Sequence, residues 1–377
     1  VNKQKIQETF KLSWHNHSPQ CKKKIVVLIP FYNEYKSPDF DKRIKFFHCL
    51  AKECPPLMDV VLIDDGSNDQ SLKMIKEFKE KSNSLFFLAS VTPNSAKVGA
   101  LYLLSMKVQA EYIVLTDFDT QLKNLQKIGT TLSLIDKDQN LMGCYFKMIP
   151  TGKKGLLLYF QMFEYAFVRM KYKSHENPKS ISIMPGAGCC YRRSYLLKIY
   201  SLHSGLRNGE DREATVIGQK LGYKSIYADQ VQALTSSPQT IKSFFNQRRL
   251  WKVGFIQTIL RRRSYYLKAL LKGEKAGIQN LKDILRNFVI FMFPFEIFLF
   301  SLSSTKAVVF FIIGSYSIVF VRYLSAFIIH KSERSELVGQ GYLLIFYPMY
   351  LFIVSFLPLW SSFFKLIRQA HKELLAK

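Results

Sequence analysis

Asp117 and Asp119 flank Phe118 directly after the short apolar run Tyr112–Leu115. Alternate residues of an extended chain point to opposite sides, but a bend at a strand end lets both carboxylates approach one cation. Magnesium and manganese are commonly held by one or two carboxylates completed by substrate phosphates, and such an ion neutralises charge on a leaving diphosphate. A D-x-D alone reads most simply as a solvated turn. Its place after a buried run is what points to Mg²⁺ or Mn²⁺. A second acidic cluster, Asp64-Asp65-Gly66-Ser67, ends the run Val60–Ile63. Gly and Ser suit a tight turn there, and Asp65 can accept hydrogen bonds from a base or ribose. The plainer alternative is a helix cap by Ser67 or Asp69. Asn94–Leu101 opens a helix that Asn94 or Ser95 can cap, with Lys97 in its first turn. A helix N-terminus carrying a lysine favours an anion; an ordinary surface lysine is the alternative.

Gly209-Glu210-Asp211-Arg212 precedes a helix expected over Arg212 to Leu221. Acids at a helix start are commonly capping groups. The sharper reading makes Asp211 a general base that takes the proton of an acceptor hydroxyl while that oxygen attacks a sugar carbon. One base beside a metal-bound leaving group suits transfer, whereas glycoside hydrolysis usually needs two opposed carboxyls. Gln247-Arg248-Arg249-Leu250-Trp251 lies in an amphipathic stretch, Thr240 to Leu271, that continues into Arg261-Arg262-Arg263. Such a basic helix can lie at a membrane face. Trp251 could stack on a pyranose ring or sit as a membrane-interface tryptophan.

These residues need a frame to hold them. Ile25–Pro30, Val60–Ile63, Leu85–Val91 and Tyr112–Leu115 read as buried strands, alternating with helices over Asp41–Lys52, Ser71–Lys81 and Ala96–Ala110. That alternation predicts an α/β doubly wound sheet, in which ligands sit beyond the carboxyl ends of the strands. Met142–Met148 is a further strand. Lys153–Lys173 is a core or interfacial helix, its apolar centre, with Gln161 and Glu164, being too short to span lipid. Phe288–Ser304, Ala307–Ile329 and Tyr342–Trp360 approach the ~20 residues that cross hydrocarbon. The first carries Pro294 and Glu296, which favour a bend or a protein-facing side. Three crossings would place the basic tail (Lys365, Arg368, Lys372, Lys377) opposite the catalytic part, against the positive-inside tendency, so one segment is expected to be re-entrant or interfacial. The expected organisation is a polar segment 1–24, a catalytic domain 25–236, amphipathic interfacial helices 237–286, two or three membrane helices 287–360 and a basic tail 361–377.

Composition bounds the rest. The 377 residues include 54 Lys and Arg against 28 Asp and Glu, a net charge of +26. That charge suits nucleic acid, an anionic membrane face or anionic small molecules, or reflects a lysine-rich bias. No nucleic-acid-binding module is recognisable, so a non-catalytic basic membrane protein is a remote alternative. Six cysteines without a C-x-x-C pair argue against a disulfide framework or zinc site, and fit a reducing cytosol. A first residue Val fits literal translation of a GTG start, an expectation of a complete prokaryotic chain. The polar residues 1–24 hold no signal-peptide core.

Taken in order, Ile29-Pro30-Phe31-Tyr32-Asn33-Glu34, Asp64–Ser67, Asn94–Leu101, Asp117–Asp119, Gly186-Ala187-Gly188, Glu210-Asp211 and Gln247–Trp251 resemble glycosyltransferase family 2. This is the GT-A group that contains hyaluronan, chitin, cellulose and poly-N-acetylglucosamine synthases. The resemblance covers about Ile25 to Gly254, and the C-terminal apolar block extends it. It implies a GT-A, Rossmann-like domain followed by interfacial and transmembrane helices in the cell membrane, with the catalytic domain facing the cytoplasm. It further implies a UDP-sugar donor contacted by Pro30, Tyr32, Glu34, Asp65, Lys97 and Asp117, and Mg²⁺ or Mn²⁺ on Asp117 and Asp119. Asp211, with Glu210, would be the base of an inverting displacement. Gly188, Gln247, Arg248, Arg249 and Trp251 would border the acceptor or diphosphate. The expected partners are the nucleotide sugar, a growing polysaccharide or lipid-linked acceptor, and membrane lipid, with no nucleic acid. Two departures stand out. Processive members read Q-x-x-R-W, and Leu250 occupies the arginine's position; Arg248 or Arg249 would have to substitute, although one helical residue turns a side chain by about 100°. Residues 1–24 also hold no apolar stretch of spanning length, which many polymer synthases have before this domain.

Overall fold

The computed structural model describes residues 8–15, 23–53, 58–173 and 183–375. Cys21, Cys54, Lys377 and most of segment 1–24 lie outside the described residues. Cys49, Cys144, Cys189 and Cys190 carry free thiols. The chain forms two compact units: the described residues of 1–148 and 178–235, and those of 149–177 and 236–377.

The first unit is built on strands β1 (Lys11–His15), β2 (Lys23–Phe31), β3 (Met58–Asp64), β4 (Phe87–Thr92), β5 (Ala110–Leu115), β6 (Thr120–Lys123), β7 (Leu141–Thr151), β8 (Cys189–Arg192) and β9 (Lys224–Ser236). They make one sheet in the order β1-β4-β3-β2-β5-β8-β7-β9-β6. The four strands expected from their apolar runs are the parallel ones: Val27 lies opposite Val60 on β3 and Val114 on β5. Such runs follow from burial on both faces, and Val26 to Ile29 are at most 1% exposed. The sheet is nonetheless mixed. β1 joins β4 antiparallel, so part of the polar segment before residue 25 belongs to the sheet. β8 pairs antiparallel with both β5 and β7, and β6 with β9.

Helices α1 (Phe40–Glu53), α2 (Ser71–Lys81), α3 (Ala96–Lys107), α4 (Ile128–Lys137), α6 (Arg193–Ser201) and α7 (Glu210–Lys220) complete this unit, with α5 (Leu156–Lys173) intervening in sequence. On α1, Phe40, Ile44, Phe47 and Leu50 recur at helical spacing and pack against Val27, Ile29 and Val60 in one core. Val26 and Leu28 alternate to the other face, where α3 packs on β2 and against α6.

The second unit contains α5, α8 (Ile241–Leu271), α9 (Lys275–Ser303), α10 (Thr305–Ile329) and α11 (Tyr347–Leu375). α5 falls within the expected catalytic domain 25–236, but Phe163 and Phe167 of this helix share a core with Phe244, Tyr347 and Tyr350 of the second unit. Thr240 caps α8 through a reciprocal hydrogen-bond box with Ser243, and the helix kinks at Arg262. Gly277 lets α9 approach α8: a Cβ there would lie 2.5 Å from the Ala269 carbonyl carbon. Three segments, Gly277–Ser303, Thr305–Ile329 and Gly339–Arg368, are long and apolar enough to cross a membrane.

Candidate active site

The site grows from loops that follow adjacent parallel strands. After β2, Asn33 adopts a left-handed conformation (φ 55°). Its N–H donates to Ser67 Oγ at 2.9 Å, its Oδ1 accepts from the Asn68 N–H at 2.9 Å, and the Glu34 N–H donates to Ser71 Oγ at 2.8 Å. The β2 and β3 loops are thereby sewn together. Gly66 provides the turn (φ 72°), and a Cβ there would sit 2.9 Å from the Asn94 nitrogen. The close approach lets Asp65 reach the next loop. Its Oδ1 accepts from the Ser95 N–H and hydroxyl, both at 2.8 Å, and its Oδ2 from Asn94 Nδ2 at 3.1 Å. Ser95 therefore spends its hydroxyl on Asp65 rather than capping α3. Burial raises the Asp65 carboxyl above its ordinary value, against the pull of the Ser95 hydrogen bonds.

Phe118 positions the D-x-D pair. Its ring is 3% exposed and lies 5.7, 5.8 and 5.5 Å from those of Phe31, Phe40 and Phe47. Driving this ring into the core leaves Asp117 and Asp119 at the rim. Lys97 Nζ donates to Asp117 Oδ1 at 2.5 Å and stands 3.5 Å from Glu210 Oε1. Burial alone would lower this lysine, but Asp117, Glu210 and Asp211 together hold it well above its ordinary value. Gly186 makes room here: a Cβ would lie 3.1 Å from Lys97 Nζ and 3.7 Å from Asp211 Cβ. Gly188 lies deeper, where a Cβ would meet Ala233 and Met148.

Gly209 caps α7 with a left-handed backbone (φ 73°), leaving Glu210 and Asp211 in its first turn rather than at the cap. Burial first, then the neighbouring Glu210, pushes Asp211 up to about 6. Behind it, Thr215 donates to the Asp211 carbonyl at 2.7 Å, and His203 Nε2 lies 3.0 Å from the Glu210 carbonyl.

Pro30, Tyr32, Glu34, Asp65, Lys97, Asp117, Asp119 and Glu210 line one cleft of about 370 Å³. Asp211 lies against its Lys97 side. Three further residues, two lining the cleft and one behind Glu34, shape the site without a signal in the sequence. Arg43 pairs with Glu34 at 3.2 Å and pulls against the rise of Asp119. Arg207 lines the mouth and donates to Asn94 Oδ1 at 3.4 Å. Phe118 stands in the sequence only as the spacer of D-x-D. Arg43 sat on a helix face and Arg207 in a loop, so neither carried a spacing signal.

Among the described residues, no group of three or more His, Cys, Asp or Glu forms a metal ligand set on its own. Asp117 and Asp119 do suit a hard divalent cation that takes its remaining ligands from phosphate and water. Burial, then the charge of Asp117, pushes Asp119 up to about 6, an electrostatic penalty that a bound cation relieves.

In the second unit, Gln247, Arg248, Arg249 and Trp251 share the first turns of α8. Arg248 is 4% exposed, and its Nη2 donates to Glu164 Oε2 of α5 at 2.9 Å. Its guanidinium carbon lies 4.1 Å from the Trp251 ring centre and 4.8 Å from that of Phe244. Leu250 is exposed, and the buried Oε1 of Gln247 has no hydrogen-bond partner among the described residues.

A mixed sheet with acids at the carboxyl ends of its parallel strands, followed by apolar helices, defines the nucleotide-diphospho-sugar transferase class, the GT-A fold. The structure of the mannosyltransferase PcManGT from Pyrobaculum calidifontis, in complex with GDP-Man and Mn²⁺, superposes with a TM-score of 0.59 at 14% identity, covering 93% of this chain and 91% of that one. Residues 26–200 match the profile of glycosyl transferase family 2, and residues 135–329 that of glycosyl transferase family group 2. The second match spans more than half of the chain, and the protein belongs to this glycosyltransferase family. It is 21% identical over 290 residues to a probable glycosyltransferase, YdaM, of Bacillus subtilis, covering 76% of this chain and 65% of that protein. It is 29% identical over 123 residues to chitin synthase chs-1 of Caenorhabditis elegans, covering 29% of this chain and 9% of that protein. The chain thus spans less than two thirds of the length of these relatives.

Proposed function

We propose that the protein is a membrane-bound, inverting glycosyltransferase that moves a sugar from a UDP-sugar to a hydroxyl of a glycan or lipid-linked acceptor. The observation that carries this reading is the convergence of Asp65, Asp117, Asp119 and Glu210 on one cleft, with Asp211 at its Lys97 side. Asp65 and Tyr32 hold the nucleoside, and Lys97 faces the diphosphate. Mg²⁺ or Mn²⁺ held by Asp117 and Asp119 would neutralise charge on the leaving diphosphate. Asp211 accepts the acceptor hydroxyl's proton as the new O–C1 bond forms and the C1–O bond to the diphosphate breaks. Its value of about 6 leaves it mostly ionised at neutral pH yet basic enough to take that proton. Apolar helices anchor the enzyme in the cell membrane, with the cleft in the cytoplasm.

The test is a panel of UDP-sugars, with GDP-mannose alongside, incubated with membranes and Mn²⁺ and scored for nucleotide release and product mass. Release from none of them with any acceptor supplied would remove the reading.

One observation favours a single transfer to a lipid-linked acceptor over polymer synthesis. Leu250 replaces the expected arginine, and Arg248 is committed to Glu164 and two aromatic rings. That leaves Arg249 alone to grip a diphosphate from this motif. Product length separates the two outcomes.

A further inference from the structure

The side chain of Glu164 sits in the middle of the apolar helix α5, where neither length nor pattern calls for an acid. Its Oε2 accepts from Arg248 Nη2 at 2.9 Å and from the Tyr350 hydroxyl at 3.0 Å, so one oxygen joins α5, α8 and α11. Arg248 in turn lies along α8 between Phe244, one turn before it, and Trp251, one turn after. Trp251 remains 47% exposed although the guanidinium lies against its ring.

Packing alone does not require this arrangement. Withdrawing the Arg248 charge from water is expensive, its partner Glu164 stays partly exposed, and apolar residues of similar volume commonly replace such a pair at no loss of stability. What the pair adds is direction. A guanidinium is flat and rigid; Glu164 anchors its Nη2 end while the Phe244 and Trp251 rings lie beside it, and together these contacts set the plane it presents to the indole. Cation–π attraction then holds the indole to that plane.

We propose that Glu164 and Arg248 are positioning residues for Trp251, holding its indole so that the open part of the ring stacks on a sugar of the acceptor. Arg248 thereby serves the motif in place of the arginine missing at position 250, by orienting the aromatic rather than by gripping phosphate. This inference rests on the glycosyltransferase reading for the identity of the ligand, but the clamp itself is read out separately.

The experiment uses the full-length protein in nanodiscs, with Trp14→Phe and Trp360→Phe so that Trp251 is the sole tryptophan. Because Glu164→Gln alone would strand a buried cation and could unfold the protein, the informative variant is the paired Glu164→Gln/Arg248→Met. Arg248→Lys, which keeps the charge and loses the plane, accompanies it. Acrylamide quenching of Trp251 reports its orientation without any turnover. Fluorescence titration with gluco-, manno- and chito-oligosaccharides reports sugar stacking. The expected result is a folded paired variant with increased quenching and sugar binding weakened about tenfold, the scale of one aromatic stacking contact, with Arg248→Lys shifted the same way. Nucleotide binding to the paired variant should equal that of the wild type. Unchanged quenching in the paired variant, unchanged sugar affinity despite altered quenching, or a wild-type Trp251 that responds to no oligosaccharide would each overturn the proposal. A wild type that releases no nucleotide but shows the expected Trp251 behaviour would instead count against the transferase reading alone.

Discussion

At the scale of single residues, the proposed chemistry turns on Asp211. It is buried in the first turn of α7, beside Glu210 and within the field of Lys97. Asp211→Asn keeps the shape and removes the base, so turnover should fall by roughly 10²–10⁴-fold, the range of general-base catalysis, while nucleotide-sugar affinity stays within about twofold. Isothermal titration beside a nucleotide-release assay measures both. The pH profile is set by the same carboxyl. Its value is raised to about 6, so the proton is retained up to that pH and the base is present only above it. Thus kcat/KM should climb through pH 6 and level off by about pH 7 to 8, and the Asn variant should lack that limb.

At the scale of elements, the parallel strands were legible because burial on both faces writes them as unbroken apolar runs. Their ends were legible as well, since Asp64-Asp65-Gly66-Ser67 and Asp117-Phe118-Asp119 begin where those runs stop. β1, β6, β8 and β9 were not. Lys11–His15 and Thr120–Lys123 are short and polar, and each becomes a strand only by pairing with a partner far away in sequence, β4 or β9. The residence of α5 in the second unit was hidden for a similar reason, as its partners Phe244, Tyr347 and Tyr350 come some 80 to 190 residues later. Phe118 shows how a core position doubles as a device of the site. Phe118→Ala should destabilise the protein by about 3–5 kcal/mol, and it should raise the Mn²⁺ concentration needed for half-maximal turnover, because both flanking carboxylates lose their anchor. Thermal unfolding and a Mn²⁺ titration read the two effects. Gly66→Ala acts on the neighbouring turn. A Cβ at φ 72° and 2.9 Å from Asn94 N forces the two loops apart, so stability should drop by about 1–2 kcal/mol, with weaker nucleotide binding.

At the scale of the whole molecule, the three apolar segments differ in how far protein covers them. The most apolar windows of α9 and α10 are 6% and 0% buried in the protein, against 44% for that of the third segment. The contacts of α11 explain the difference. Phe291 stacks on Trp360 at 4.5 Å and meets Phe363, yet Phe293, two residues further along α9, packs on Phe352. α11 thus meets α9 through Phe352, Trp360 and Phe363, and Ser362 hydrogen-bonds the Arg249 carbonyl of basic α8 at 3.0 Å. A helix that is partly covered by protein and packed on a basic amphipathic helix fits the membrane face better than its hydrocarbon centre. On the proposed reading, two crossings by α9 and α10 would leave Lys365 and Arg368 in the cytoplasm, as positive charge prefers. Single cysteines at Ser304, in the link between α9 and α10, and at Arg368 give the measurement in intact cells with a membrane-impermeant maleimide. Position 304 should label from outside and position 368 only after permeabilisation; labelling of 368 in intact cells would mean that α11 crosses too.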